Sequence, residues 1–290
     1  MDGKWRSKRW SALPWLRRRK QHSLMKKLSL TSLQAPNQDW LAAALAGYLG
    51  GKLGIACQFI AAPPWQEREQ MLDSGQINIG WICGLPYVQK VDREGAQLEL
   101  LAAPVMSAPR YHGKPVYFSD VVVGKESKFR SFEDLRGGRW AYNEPGSHSG
   151  YNLTRYMLAR MGELDGFFGE ITEAGSHQAA LQMLLDGAVD GTSIDSTVLE
   201  MELKNRPEVA EQIKKIATWG PSPIPPWIIH MGVPVNLRTK IRRILLDMET
   251  DLEGKALLAN LGLKRFAGVS DADYDPIRDM LITARQVHFG

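Results

Sequence analysis

The sequence has few cysteines and lacks a long apolar run. Its 290 residues include only Cys57 and Cys83. Two thiols are too few for a disulfide framework, and their spacing does not match a zinc site, so we predict two buried free thiols. No apolar stretch approaches the ~20 residues that span a bilayer. We therefore predict that this is not an integral membrane protein.

Signatures of several common enzyme sites are also missing. The sequence contains no H-E-x-x-H, no Walker loop and no G-x-G-x-x-G. Their absence removes support for a zinc peptidase, a P-loop nucleotide site and a dinucleotide site. We therefore predict that the protein uses no metal and no cofactor.

Positive charge is concentrated at the N-terminus. The formal net charge is +4, but residues 1–27 hold ten of the 36 basic residues and a single acid, Asp2. The remaining chain carries 26 basic and 31 acidic residues and is mildly acidic. Because a nucleic-acid surface needs clustered positive charge on the folded body, we predict no nucleic-acid partner.

Residues 1–27 interleave three tryptophans with basic residues. A secretory signal needs an apolar stretch of about 7–15 residues after its positive start, and none is present, so the sequence as it stands does not support export. We interpret the segment as a disordered extension, or as residues upstream of a later start at Met25. A native start at Met1 or Met25 predicts a cytoplasmic protein. The alternative is a weak contact with an anionic membrane surface, where tryptophan and basic side chains are favoured.

Strand-like and helix-like segments alternate from residue 27 onward, beginning with strand 28–34, helix 39–53 and strand 55–62. This order predicts an α/β protein of two lobes, each a mainly parallel sheet flanked by helices. Four prolines within residues 217–229 predict an extended segment that returns the chain to the first lobe, since proline cannot donate within a central strand. C-terminal helices are expected to pad that lobe. The predicted divisions are residues 1–27 as the extension, 28–108 and 222–290 as the first lobe, and 109–221 as the second lobe.

The loop Asn143–Tyr151, with the sequence NEPGSHSGY, precedes an amphipathic helix predicted over residues 151–161. The helix N-terminus then falls at residues 147–150, where first-turn amides lack intrahelical partners and carry the positive end of the helix dipole. Ser147 and Ser149 add hydroxyl donors, so we predict an anion-binding turn. The alternative is an ordinary serine N-cap that binds only its own helix.

Four segments carry a resemblance to a known family. They are INIGWICGLPYV (77–88), NEPGSHSGY (143–151), EAGSHQAALQMLLDGAVDGTSIDS (173–196) and GPSPIPPW (220–227). In this order they resemble the phosphonate, phosphate and phosphite solute-binding proteins of ABC importers, over about residues 28–282. The resemblance implies a type II periplasmic-binding fold, with two crossover strands and a small phosphorus oxyanion bound between the lobes. It also implies a periplasmic location, an ABC permease as partner, and a monomer.

The resemblance also implies ligand-binding residues. Ser147, His148 and Ser149 stand where the family has its Ser-Thr-Ser anion-binding turn, His177 where it has a ligand-facing histidine, and Asp195 where it has an acidic acceptor. Tyr111 and Trp65 fall where the first lobe of the family offers aromatic contacts. Trp81 is added because it lies near the carboxyl end of a predicted strand, where ligands bind in such sheets.

An acidic acceptor restricts the chemistry of the ligand. A carboxylate at Asp195 only accepts hydrogen bonds, so it favours an oxyanion that keeps a P–OH proton and repels fully ionised sulfate. The aminophosphonate binders of the family have a further acid in the hinge, where this chain has Pro223–Pro226. We therefore do not expect a primary amine on the ligand.

Each assignment has a structural alternative. Asp195 is also suited to cap the helix that follows it, and His177 to be a solvated first-turn residue. Trp81 is also suited to the core, and Tyr111 to be a loop aromatic without a partner.

Three functions are compatible with these residues. The first is non-catalytic binding of a small oxyanion as part of an ABC importer. The second is a hydrolase that uses Ser147 or Ser149 with His177 and Asp195, although no G-x-S-x-G elbow is present. The third is an intracellular or membrane-surface sensor on the same fold.

Overall fold

The computed structural model describes residues 25–93 and 95–289. The predictions made for residues 1–27 therefore concern residues that lie almost entirely outside the described part of the chain. None of the helices within that part combines the length and the apolar character needed to cross a bilayer.

Strands and helices alternate through most of the chain, as the sequence pattern predicts. The strands are β1 (Lys27–Ser32), β2 (Ala56–Phe59), β3 (Ile79–Trp81), β4 (Leu98–Met106), β5 (Val116–Gly124), β6 (Arg139–Tyr142), β7 (Glu170–Glu173), β8 (Gly191–Asp195), β9 (Ile213–Pro223), β10 (Trp227–His230) and β11 (Leu263–Ala267). The α-helices are α1 (Asp39–Leu53), α2 (Trp65–Asp73), α3 (Gly84–Val91), α4 (Leu153–Met161), α5 (His177–Leu185), α6 (Ser196–Asn205), α7 (Val235–Leu246), α8 (Leu252–Asn260) and α9 (Asp275–Ala284). Short 3₁₀ turns cover Pro36–Gln38, Pro109–Tyr111, Glu133–Leu135, Pro207–Glu211, Met248–Thr250 and Asp271–Tyr274.

The strands form two sheets. The first has the order β11-β4-β10-β3-β1-β2, and the second has the order β7-β6-β8-β5-β9. β1 pairs in parallel with β2 and β3, and β6 pairs in parallel with β7 and β8. Two strands follow directly after the chain has crossed from one sheet to the other, β5 in the second sheet and β10 in the first. Both lie antiparallel to their neighbours. Both sheets are therefore mixed, with most strands running in one direction.

Apolar side chains cover both sheets. α1 and α7 pack on one face of the first sheet, where Leu28, Leu45 and Ile241 are fully buried. In the second sheet, the clusters on the two faces contain the buried side chains of Trp140 and Val122. Burial on both faces explains the near-continuous apolar runs of these strands.

The chain passes between the sheets twice, through residues 107–115 and 224–226. The two passages are joined, because the amide of Ile224 donates to the carbonyl of Pro115 over 3.1 Å. The prolines of this region do not exclude a strand, since β9 extends to Pro223 as the edge strand of the second sheet. An edge strand tolerates proline because one side of its backbone has no strand to pair with.

The C-terminal segment contacts both sheets' helices. Ile277 of α9 packs in a cluster with Leu85 and other first-sheet residues. Val287 is buried in the cluster of the second sheet, and its carbonyl accepts hydrogen bonds from Arg155. The expectation that the C-terminal helices pad the first lobe is therefore incomplete, because Met280 of α9 and Val287 beyond it pack against the second-sheet cluster. The residue boundaries of the lobes remain a prediction.

Candidate functional site

Carboxyl ends of strands from both sheets meet around one cavity of about 130 Å³. A volume of this size equals that of about four water molecules in the liquid, which suits a ligand of few heavy atoms. We call it the cleft cavity. Its first-sheet wall includes Gln34, Trp65, Arg68 and Cys83, and its second-sheet wall includes Asn143, Glu144, Ser147, Ser149, His177 and Asp195.

The predicted anion-binding turn lies on the second-sheet wall. Ser147 has an extended backbone, and its hydroxyl accepts a 3.0 Å hydrogen bond from the amide of Gly150. Residues His148–Asn152 form a π-helical turn before α4, a conformation often found at functional sites. The amide of His148 approaches the sulfur of Cys83 at 3.5 Å. Two of the predicted amide donors thus have internal acceptors, and the serine hydroxyls are the donors that line the cavity.

Ser149 and His177 form a buried pair. The Ser149 hydroxyl lies 3.1 Å from Nε2 of His177. His177 begins α5 after the cap by Ser176, but it is only 7% exposed, so the solvated alternative is wrong. Burial lowers the pKa of His177 to about 4, which keeps the imidazole neutral at pH 7. Its Nδ1 is buried and has no hydrogen-bond partner within the described residues, and a ligand can supply one.

Asp195 ends β8 and caps α6. Its Oδ1 accepts hydrogen bonds of 2.7 Å from both the amide and the hydroxyl of Thr197. The residue is only 5% exposed, and burial raises the pKa of the carboxyl group to about 6, although hydrogen bonds from Thr197 and Val198 offset part of this effect. The helix-cap interpretation is therefore confirmed, and the same carboxylate also lines the cleft cavity.

Three of the predicted ligand-binding residues do not line the cleft cavity, namely His148, Trp81 and Tyr111. His148 is fully buried, with Nε2 3.1 Å from the Ser222 hydroxyl and Nδ1 3.1 Å from Nδ2 of Asn152. Its imidazole is held away from the cavity by these two contacts. Its role is to hold the turn against β9.

Trp81 and Tyr111 are core residues. The indole of Trp81 stacks on Trp227 at 5.4 Å and donates to the carbonyl of Pro225. Tyr111 is fully buried, and its hydroxyl lies 3.1 Å from that of Ser196. The core alternative is correct for Trp81, whereas the unpartnered-loop alternative is wrong for Tyr111. A strand end has two faces, and the sequence pattern does not tell which one meets the ligand.

The remaining predicted residue, Trp65, is at the rim. It begins α2, is 39% exposed and lines the cleft cavity. Arg68 lies on the same face of α2 one turn later, a spacing that could have identified it. Asn143 and Glu144 directly follow β6, and this position at a strand end also could have identified them. Burial raises the pKa of Glu144 to about 7.

The serine and histidine do not form a catalytic triad. A triad needs a carboxylate on the second imidazole nitrogen, to orient the ring and stabilise its charge. Asp195 instead binds Thr197, and Nδ1 of His177 has no partner among the described residues. Of the two nucleophiles considered for a hydrolase, Ser149 contacts His177, whereas Ser147 contacts Gly150 and Ser149.

Direct hydrogen bonds join the two walls beside the cleft cavity, in a region that we call the cleft entrance. Nδ2 of Asn37 donates to Oε1 of Glu202 over 2.7 Å, and Nε2 of Gln38 lies 2.9 Å from the Thr197 hydroxyl. These bonds join the 3₁₀ turn before α1 to helix α6. The described conformation therefore has its two walls in contact.

Known proteins share this sequence pattern and architecture. A family model described as "ABC transporter, phosphonate, periplasmic substrate-binding protein" matches residues 32–274. The phosphonates-binding periplasmic protein of Escherichia coli (strain K12) is 24% identical over 237 residues, which cover 80% of this chain and 68% of that protein.

Two solved structures have the same fold. A binding protein component of an ABC phosphonate transporter from Pseudomonas aeruginosa has a TM-score of 0.78 and 22% identity, covering 90% of this chain and 87% of that one. PhnD1 from Prochlorococcus marinus (MIT 9301), solved with methylphosphonate, has a TM-score of 0.77 and 18% identity, covering 90% of this chain and 99% of that one.

These comparisons confirm the predicted α/β architecture as a type II periplasmic-binding fold. They also confirm the resemblance carried by the four sequence segments, because the family model spans most of the chain. The chain belongs to the family of periplasmic substrate-binding proteins of phosphonate ABC transporters.

Proposed function

We propose that the cleft cavity binds the phosphonate group of a small ligand. The observation that carries this proposal is the combination of hydroxyl donors and an unpaired carboxylate on one buried wall, at Ser147, Ser149 and Asp195. The hydroxyls donate to the unprotonated oxygens of the ligand. Asp195 accepts from the remaining P–OH group, and neutral His177 adds one N–H or one acceptor, depending on its tautomer.

This arrangement favours a monoprotonated phosphorus oxyanion over sulfate. Sulfate has no proton for Asp195 at neutral pH, so its binding would place two negative charges together in a buried site. Phosphonate, phosphite and phosphate all retain a proton near neutral pH. The ligand class is therefore set by the presence of the P–OH group rather than by size alone.

We further propose that the protein acts without catalysis and delivers its ligand to an ABC permease, as a monomer. Membership of the family implies an extracytoplasmic location. The absence of an orienting carboxylate on His177 among the described residues supports binding rather than hydrolysis. Ligand capture would close residues 109–221 onto residues 28–108 and 222–290, with the two passages between the sheets as the hinge.

A thermal-shift panel tests the proposed function. Methylphosphonate, phosphite and phosphate are expected to raise the melting temperature by about 5–10 °C at a hundredfold excess over Kd, because ligand that binds only the folded state stabilises it. Sulfate and aminoethylphosphonate are expected to produce smaller shifts. The proposal is wrong if no phosphorus oxyanion changes the melting temperature.

Asn37→Ala is expected to speed dissociation of methylphosphonate by about 2- to 10-fold. The substitution removes the hydrogen bond to Glu202 across the cleft entrance, whose net contribution is about 0.5–1.5 kcal/mol. Stopped-flow tryptophan fluorescence measures the rate. Gln182→Ala is the matched control, since it removes an exposed hydrogen bond to Asp186 within one helix. Equal dissociation rates in both variants would show that the entrance contact does not hold the cleft closed.

A further inference from the structure

Arg68 is a buried cation on the first-sheet wall of the cleft cavity. The residue is 9% exposed. Its Nη1 donates to the carbonyl of Ser32 over 2.6 Å and to the hydroxyl of Thr31 over 3.2 Å, both at the end of β1. These two bonds hold the guanidinium in place and use only one of its nitrogens.

The other edge of the guanidinium has no acceptor among the residues that the structure describes. Nε of Arg68 is buried without a hydrogen-bond partner, and no described residue accepts from Nη2. The Nε–Nη2 edge presents two parallel N–H groups, the geometry that matches the two oxygens of a carboxylate.

The charge of Arg68 also has no ion-pair partner among the described residues. Within residues 25–93 and 95–289, no acid lies within ion-pair distance of it, and Asp39 acts only from farther away. Burial lowers the pKa of the Arg68 guanidinium. A buried cation without an ion-pair partner is costly, so an anionic group of a ligand at this position would lower that cost.

Asp195 does not supply that counter-charge, although it lines the same cavity. Its hydrogen bonds go to Thr197 on its own helix. The hydrogen bonds of Arg68 go to β1 instead, and no ion pair joins the two side chains within the described residues. The Asp195 carboxylate and the Arg68 guanidinium are therefore available to contact different parts of a ligand in the cavity.

We propose that Arg68 binds a carboxylate on the ligand, so that the preferred ligands are short phosphonocarboxylates bridging the two walls of the cleft cavity. This inference rests on the proposed function, because the phosphonate end occupies the wall of Ser149, His177 and Asp195. The cavity of about 130 Å³ limits the spacer to roughly one or two carbons. Such a ligand would join the two sheets directly through its two charged ends.

Isothermal titration with methylphosphonate and phosphonoacetate tests the inference. Phosphonoacetate is expected to bind the wild-type protein at least about tenfold more tightly, because the second anion meets an already desolvated guanidinium. In Arg68→Gln, phosphonoacetate is expected to lose about 100-fold in affinity and methylphosphonate less than about threefold. Arg93→Gln is the control, since this exposed arginine borders the adjoining cavity and its loss changes the net charge equally.

The outcomes separate this inference from the proposed function. If neither compound binds the wild-type protein, the proposed function fails. If methylphosphonate binds but phosphonoacetate binds no more tightly, or if Arg68→Gln weakens both equally, the carboxylate role is overturned and the phosphonate site stands. Arg68→Lys keeps the charge without the two-pronged edge, and a loss of about tenfold for phosphonoacetate alone is expected. If a variant fails to fold, the affinities of the wild-type protein for methylphosphonate and phosphonoacetate still test whether the site binds a carboxylate.

Discussion

Asp195→Asn is expected to weaken methylphosphonate binding by about 10- to 100-fold, the effect of losing one hydrogen bond to a charged acceptor. The amide keeps one oxygen, which is sufficient for the two bonds from Thr197 that cap α6. With that oxygen occupied, the P–OH proton of the ligand meets an NH₂ donor instead of an acceptor. The substitution therefore removes the interaction with the ligand and preserves the helix cap.

The same substitution is expected to stabilise the ligand-free protein above about pH 6. Burial raises the pKa of Asp195 from 3.8 to about 6. Between these pH values the folded protein retains a proton that the unfolded chain has released, so stability falls as pH rises across the window. A neutral amide removes this loss, which amounts to about 3 kcal/mol.

Titration calorimetry and melting curves between about pH 4 and 8 measure both effects of Asp195→Asn. His148, His177 and Glu144 also have shifted pKa values, and their effects are expected to cancel when the two proteins are compared, which isolates position 195. Asp186→Asn is the control, because this exposed carboxylate lies at the end of α5. Unchanged affinity would contradict the acceptor role, and parallel melting profiles would contradict the raised pKa.

Gly150→Ala is expected to weaken methylphosphonate binding by about 10- to 100-fold and to lower the free energy of unfolding by about 1–3 kcal/mol. A Cβ atom at this position would overlap Oδ1 of Asn143 and lie 3.1 Å from Cε1 of His177. Asn143 is buried, so its side chain has little room to move away. Relief of the overlap is expected to displace the anion-binding turn from the imidazole that pairs with Ser149.

Gly146→Ala is the matched control for this prediction. It lies in the same loop, and its nearest neighbour would be Cγ of Pro86 at 3.9 Å, an ordinary contact. We expect this variant to bind methylphosphonate like the wild-type protein. Chemical denaturation and calorimetry on the two variants compare their stability and affinity. If both bind equally well, close packing at Gly150 is not required for the site.

Local pattern was sufficient to predict most of the elements. Helix α1 begins and ends where the sequence predicts, at Asp39 and Leu53, and the NEPGSHSGY loop does lead into α4. Helical and strand periodicity, capping residues and glycines act over a few residues, so they can be read along the chain. The order of strands and helices then identified the α/β class.

The local sequence pattern was not sufficient to predict which of two adjacent residues lines the cavity. His148 and Ser149 are adjacent, yet one is enclosed behind the turn and the other lines the cavity. Trp81 was placed correctly at a strand end and still belongs to the core, because it stacks on Trp227. Arg68 was overlooked, although it lies one helical turn from Trp65.

The sequence by itself determined the fold class, the family and the loop that carries the anion-binding turn, because these depend on spacing along the chain. Only the tertiary structure decided that Ser149 pairs with His177, that Asp195 is buried with no cationic partner in the part of the chain that is described, and that Arg68 lines the same cavity from the opposite sheet. Burial and charge pairing arise between residues that are distant in sequence. They are set by how the two sheets come together, which no short segment encodes.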